Sequence, residues 1–102
     1  MKNTIITEFV KMKVLETTTD EQLLLKADIL NNFQKMQDGF IDSELVKDIN
    51  DSSWCFIYHF ENMEKVKAIG EKMRSSKVFD EINPLIVPGS FSVTFYQHWK
   101  KW

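Results

Sequence analysis

The side chains of this chain best suited to chemistry gather between Trp54 and His59. Tyr58 offers a phenol that can donate a hydrogen bond to a ligand carbonyl or act as an acid; equally, a sheet tyrosine packs its ring and bonds its hydroxyl locally. His59 titrates near neutrality when unperturbed and so suits proton shuttling, but it alternates with Cys55 and Ile57, away from Tyr58, which fits an interface histidine. Cys55 has no evident basic neighbour to lower its pKa and reads as a small buried hydrophobe rather than a nucleophile. His98 could serve as a base near the end of the last strand, within the tail His-Trp-Lys-Lys-Trp. Asp42 and Glu44 share one strand face, as a carboxylate pair or simply as the solvated side of a hairpin. The sequence has no metal-ligand spacing, phosphate loop or nucleophile elbow, so neither a metal nor a cofactor is expected.

These residues sit on an aromatic strand, Trp54 to Phe60, with Trp54, Phe56, Tyr58 and Phe60 on one side and Cys55, Ile57 and His59 on the other. A strand apolar on both faces belongs in the middle of a covered sheet. Around it, Thr4 to Val14 reads as a first strand. Thr19 and Gln22 form a capping box opening a helix to about Met36, with Leu25, Ile29, Phe33 and Met36 along one face, widened by Leu23 and Leu30. Gly39 stands where a left-handed residue would end that helix. Gly39 to Ile49 alternates as a second strand, with Ile41, Leu45 and Ile49 on one side and Phe40 and Val46 on the other. Asn50 to Ser53 then closes a hairpin. Asn62 caps a second helix whose buried stripe is Val66, Ile69, Gly70 and Met73, with Gly70 allowing close approach to the sheet. Val78, Phe79 and Ile82 are apolar anchors before Pro84. Phe91 to Trp99 forms the last strand.

The order β-α-β-β-α-β is the ferredoxin-like α+β plan, an antiparallel sheet with two helices on one face. A single domain spanning residues 1–102 accommodates it. The apolar fraction is 43%, the charged fraction 27% and the net charge −2 with scattered basic residues, which excludes a polyanion-binding class such as nucleic-acid binders. No apolar run approaches a membrane span, no signal-peptide pattern opens the sequence, and the single cysteine fits a reducing compartment; a cytoplasmic protein is expected. The sheet face away from the helices would carry exposed aromatic groups in a monomer, so two sheets packed face to face in a homodimer are expected.

The chain resembles the antibiotic biosynthesis monooxygenase family of dimeric α+β barrels over residues 4–99. The resemblance is carried by the first strand TEFVKMKV, by Gln37-Asp38-Gly39-Phe40, by the aromatic strand ending Phe60-Glu61-Asn62, and by Ser75-Ser76-Lys77-Val78-Phe79, which is similar to the family's Ser-x-x-Phe. It implies a ligand cleft between sheet and helices. With Phe60 at the family's tryptophan position, Trp54, Phe56 and Tyr58 would look into that cleft, Phe33 and Phe79 would close it, and Tyr58 and Asn83 would be its polar, catalytic groups. The family includes cofactor-free oxygenases of phenolic polycyclic substrates, quinol oxygenases and haem-degrading enzymes. The haem-degrading pattern is departed from at Asn83, Phe60 and about Phe9, where an axial histidine, a tryptophan and an asparagine would stand. Three functions follow from the resemblance: a cofactor-independent monooxygenase of a small aromatic (quinol or phenolic) substrate, a non-catalytic dimeric binder of an aromatic metabolite, and, least favoured, a haem-binding or haem-degrading protein.

Overall fold

The computed structural model describes residues 4–102. The chain runs β1 (Ile6–Met12), α1 (Asp20–Lys35), β2 (Phe40–Lys47), β3 (Trp54–Phe60), α2 (Met63–Ser76), two 3-10 turns (Val78–Glu81 and Asn83–Leu85) and β4 (Ser92–Gln97). The four strands form one antiparallel sheet in the order β2-β3-β1-β4, the ferredoxin-like arrangement.

Strand β3 dictates which way the sheet faces. Trp54, Phe56, Tyr58 and Phe60 are all buried beneath the helices, whereas Cys55, Ile57 and His59 are only half-buried on the far side. Directly paired residues of neighbouring strands share a face. The β1–β3 register therefore carries Ile6, Glu8, Val10 and Met12 to the helix side, opposite Phe60, Tyr58, Phe56 and Trp54 in turn. Register with β4 adds Phe95 beside Glu8 and Val93 beside Val10.

Both helices begin as the sequence predicts. The Thr19 hydroxyl accepts from the Gln22 amide at 3.1 Å while Gln22 Oε1 accepts from the Thr19 amide at 2.9 Å, a complete capping box. Asn62 Oδ1 accepts from the Lys65 amide at 2.9 Å. The expected apolar stripe of α1 is corrected. Leu25, Ile29 and Met36 are exposed and Phe33 is half-buried, and the face against the sheet is Leu23, Ala27, Leu30 and Gln34. Leu23 and Leu30, expected at the margin of the stripe, are thus at its centre, and the remaining positions are a small residue and a polar one that hydrophobicity alone does not select.

Strand β2 is corrected too. A register shift between Phe40 and Asp42 places Phe40 opposite Phe60, their rings edge-on with centroids 6.0 Å apart, so Phe40 joins the helix side. Leu45 is on that side as well, Val46 on the other, and Ile49 stands exposed in the turn beyond the strand. Gly39 adopts φ +91° just after α1. A Cβ there would overlap the Lys65 side chain, whose ammonium pairs with Asp38.

Replacing Gly39 with Ala should therefore destabilise the fold by more than the roughly 1–2 kcal/mol that a left-handed conformation alone costs an L-residue. Gly89→Ala, at φ +79° with open space around it, should cost only the backbone share. Urea unfolding of the two variants compares them directly; equal losses would refute the overlap.

Candidate functional site

Between the helix side of the sheet and helix α2 lies a cleft made of two adjoining cavities of about 370 and 360 Å³. Glu8, Gln34, Gly70, Met73 and Arg74 border both cavities, so they form one continuous space. Phe60, Met63, Val66 and Phe95 close one end; Val10, Phe56, Tyr58, Phe79, Phe91 and Val93 line the other. The polar and charged groups of the lining are Glu8, Gln34, Tyr58, Lys67, Glu71 and Arg74, and a volume of this size suits a small ligand.

The cleft exists because the sheet is wider than its cover. Trp54, Phe56, Tyr58 and Phe60 are 2–9% exposed under the helices, whereas Val93 and Phe95 on the edge strand β4 are 51% and 42% exposed. Gly70 extends the space. A Cβ added there would meet only Arg74 Nη1, at 3.6 Å, and nothing from the sheet. Gly70 thus does not serve close helix–sheet packing, as its sequence context suggested; it leaves a gap in the cleft wall.

Of the residues expected to line a cleft, Phe56, Tyr58, Phe60 and Phe79 do so. Trp54 is buried under the helices but borders neither cavity, and Phe33 is half-buried on α1, also outside them. Asn83 opens the second 3-10 turn, exposed, and is not brought to the cleft. Phe9 belongs to the far face, packed edge-on to Tyr96 at 5.4 Å. The strand-one residue that faces the cleft is Glu8.

Glu8 is the group that sequence reasoning missed. It sits at the middle of β1, opposite Tyr58 on one side and Phe95 on the other. Among the described residues it enters no ion pair. Burial alone lifts its carboxyl from an ordinary 4.5 to about 7. The alternation in ITEFVKM contained the signal, because Glu8 shares parity with Ile6, Val10 and Met12, a charged residue at an inward position. Gln34 is the second missed group. It is 3% exposed, and its Oε1 is buried without a hydrogen-bond partner, which costs about 1–3 kcal/mol unless a donor arrives.

Burial and the neighbouring Glu8 charge push the Tyr58 phenol well above its ordinary range. Tyr58 is therefore a hydrogen-bond donor and never a base at neutral pH. Burial also raises the Cys55 thiol, against nucleophilic use. The other titratable candidates lie on the far face. His59 Nδ1 is 2.6 Å from Asp42 Oδ1, His98 Nε2 is 2.6 Å from Thr7 Oγ1, and the two imidazoles meet edge-on with centroids 5.7 Å apart. Neither histidine borders the cleft. Among the described residues, no group of three or more His, Cys, Asp or Glu side chains is arranged to hold a metal, and no helix is long and apolar enough to cross a membrane.

Solved structures of similar shape give this geometry a context. SnoaB, a cofactor-independent oxygenase from Streptomyces nogalater, superposes with a TM-score of 0.80 over 96% of both chains at 11% identity. This chain has the fold of that oxygenase. A protein from Bordetella bronchiseptica described as a candidate antibiotic biosynthesis monooxygenase matches with a TM-score of 0.79 over 95% of this chain and 99% of its own, at 9% identity. The hydroxynitrile lyase of Passiflora edulis matches with a TM-score of 0.78 over 98% of both chains, at 11% identity. No protein-family model matches the chain, and no curated protein matches it in sequence. The oxygenase fold thus carries at least two chemistries, so the function has to be argued from the cleft.

The raised Glu8 carboxyl has a consequence for stability. A group that binds its proton more tightly when folded loses stabilising protonation as pH rises. Glu8 should therefore make the fold less stable between about pH 4.5 and pH 7, with no further change above. Glu8→Gln should remove that slope and be the more stable protein at pH 8, as read by urea unfolding at pH 5 and pH 8. Gly70→Ala should raise stability by about 1 kcal/mol through helix propensity, whereas Gly70→Leu should fill the cleft; a marked loss of stability on Gly70→Ala would show that the glycine serves packing after all.

Proposed function

We propose that the protein is a cofactor-independent monooxygenase of small, electron-rich phenolic or quinol substrates, with Glu8 as its base. The observation that carries this reading is an unpartnered carboxylate, poised near neutrality, on the floor of a cleft walled by Phe56, Phe60, Phe79 and Phe91. A base is most effective when its pKa lies near the working pH, and an apolar enclosure strengthens whatever electrostatic contacts it makes with a bound anion.

The chemistry required of these side chains is modest. Glu8 takes the proton of a phenolic hydroxyl, leaving an electron-rich phenolate held flat between the aromatic walls. The phenolate supplies electrons to dioxygen. A ring carbon para to the oxygen acquires a hydroperoxide, and its O–O bond breaks with loss of the carbon's hydrogen and release of water. One oxygen atom stays as a new carbonyl, the other leaves as water, and all four electrons come from the substrate; a naphthol becomes a naphthoquinone. Glu8 returns its proton to the departing oxygen. Tyr58, held protonated by burial, donates to the developing oxygen charge.

The fold of SnoaB, itself a cofactor-independent oxygenase, supports this assignment. The unpartnered sheet face supports a homodimer. Phe9, Ile57, Val46 and Tyr96 lie there without cover, around the polar set Thr7, Asp42, His59 and His98, as would suit a second copy packed sheet to sheet.

Incubation of the purified protein with 1-naphthol under labelled dioxygen tests the reading. One labelled atom should appear in the quinone and one in water, with the rate rising as pH passes about 7. Glu8→Gln should lower turnover by about 10²–10⁴-fold and abolish that pH dependence, and Tyr58→Phe should lose turnover while retaining binding. Binding without turnover in the parent protein would instead establish a binding protein for aromatic metabolites.

A further inference from the structure

Arg74 follows Gly70 by one helical turn, and its Nη1 lies over the space that a Gly70 Cβ would enter. The side chain borders both cavities of the cleft. The ion pairs among the described residues are Lys11–Asp51, Lys26–Glu81, His59–Asp42 and Lys65–Asp38; Arg74 belongs to none of them. Two further charged residues of α2, Lys67 and Glu71, border the same cavity. Lys67 and Glu71 are spaced i, i+4 and Glu71 precedes Arg74 by three residues, yet none of the three enters an ion pair among the described residues, so the guanidinium is available to an anionic ligand.

The inner groups have the opposite character. Gln34 Oε1 is a fully buried acceptor with no donor, and Glu8 is a carboxylate that enters no ion pair among the described residues. Arg74 is exposed whereas Glu8 is half-buried and Gln34 buried, so cation and acceptors lie at different depths, with Phe56, Phe79, Phe91 and Val93 along the walls they share.

We propose that the cleft selects hydroxylated aromatic carboxylic acids: the carboxylate pairs with Arg74 at the mouth, the ring lies between the aromatic walls, and the hydroxyl enters to meet Glu8 and Gln34. A planar guanidinium matches a carboxylate through two parallel hydrogen bonds. The half-buried Glu8 carboxylate repels an anion at the inner end, so the acid has one orientation and its hydroxyl is the group delivered to the base. This inference rests on the cleft being the substrate site and specifies the substrate class.

Two probes separate the two claims. Calorimetric titration of the intact protein with 6-hydroxy-2-naphthoate and with 2-naphthol, at neutral pH and low salt, should show the carboxylate binding about tenfold or more tightly. Arg74→Gln should remove that advantage, so that the two probes bind the variant within about twofold of one another; Arg74→Lys should restore part of it. Arg74 is exposed, so these variants should fold as the parent does, which their thermal unfolding checks. Equal affinity of the parent for both probes, or an advantage that survives in Arg74→Gln, overturns the carboxylate proposal while naphthol binding leaves the cleft assignment standing. Failure of both probes to bind overturns the cleft assignment and this inference together.

Discussion

Pairing between β1 and β3 is the constraint on which the site depends. Seven consecutive residue pairs, from Ile6–Phe60 to Met12–Trp54, lock the two central strands together. Because side chains alternate with period two, that register leaves Glu8 no choice of face. It must lie beside Tyr58, inside the apolar layer that Phe56, Phe60, Val10 and Met12 form under the helices. A slip of one residue would send Glu8 to the far face and bring Thr7 or Phe9 inward. The carboxyl's perturbed state is a by-product of strand pairing in the core, which is why it needs no partner residue to position it.

A second consequence concerns space. Among the described residues, two α-helices are available to cover four strands. They pack over the β3 side, where Leu23, Ala27, Leu30, Val66 and Ile69 join the core, and leave the β4 edge less protected. Gly70, lacking a side chain where α2 borders the cleft, leaves that space unfilled. The cleft is thus the part of the core that this architecture does not complete, and its apolar walls follow from its origin as core. On the other side of the sheet the same alternation produces a layer of mixed character, with His59, His98, Asp42 and Thr7 linked in pairs among Phe9, Ile57 and Tyr96.

Much of this was legible in the sequence, and the parts that were not have identifiable causes. The element order, the capping residues Thr19 and Asn62, and the inward set Trp54, Phe56, Tyr58 and Phe60 follow from alternation and turn chemistry. The face of α1 did not, because its apolar residues encircle the helix and the sheet selected the stripe containing Ala27 and Gln34. The bulge after Phe40 inverted the start of β2, a local irregularity without a sequence marker. In the cleft, aromatic residues were found by their pattern. Glu8 was overlooked although its inward parity could be read; its significance required the register that sets it among buried rings. Asn83 was placed by correspondence with a motif, and the turn that bears it runs outside the cleft.

The account stands on one physical quantity, the ionisation of Glu8 in the folded protein. Carboxyl-carbon NMR of selectively labelled glutamate, with Glu8→Gln to assign the resonance, measures it directly across pH 3–9. A midpoint of about 7 is expected for Glu8. A midpoint at the ordinary value of 4.5 would mean that Glu8 is solvated or paired, and the cleft would then hold no base poised for chemistry at neutral pH.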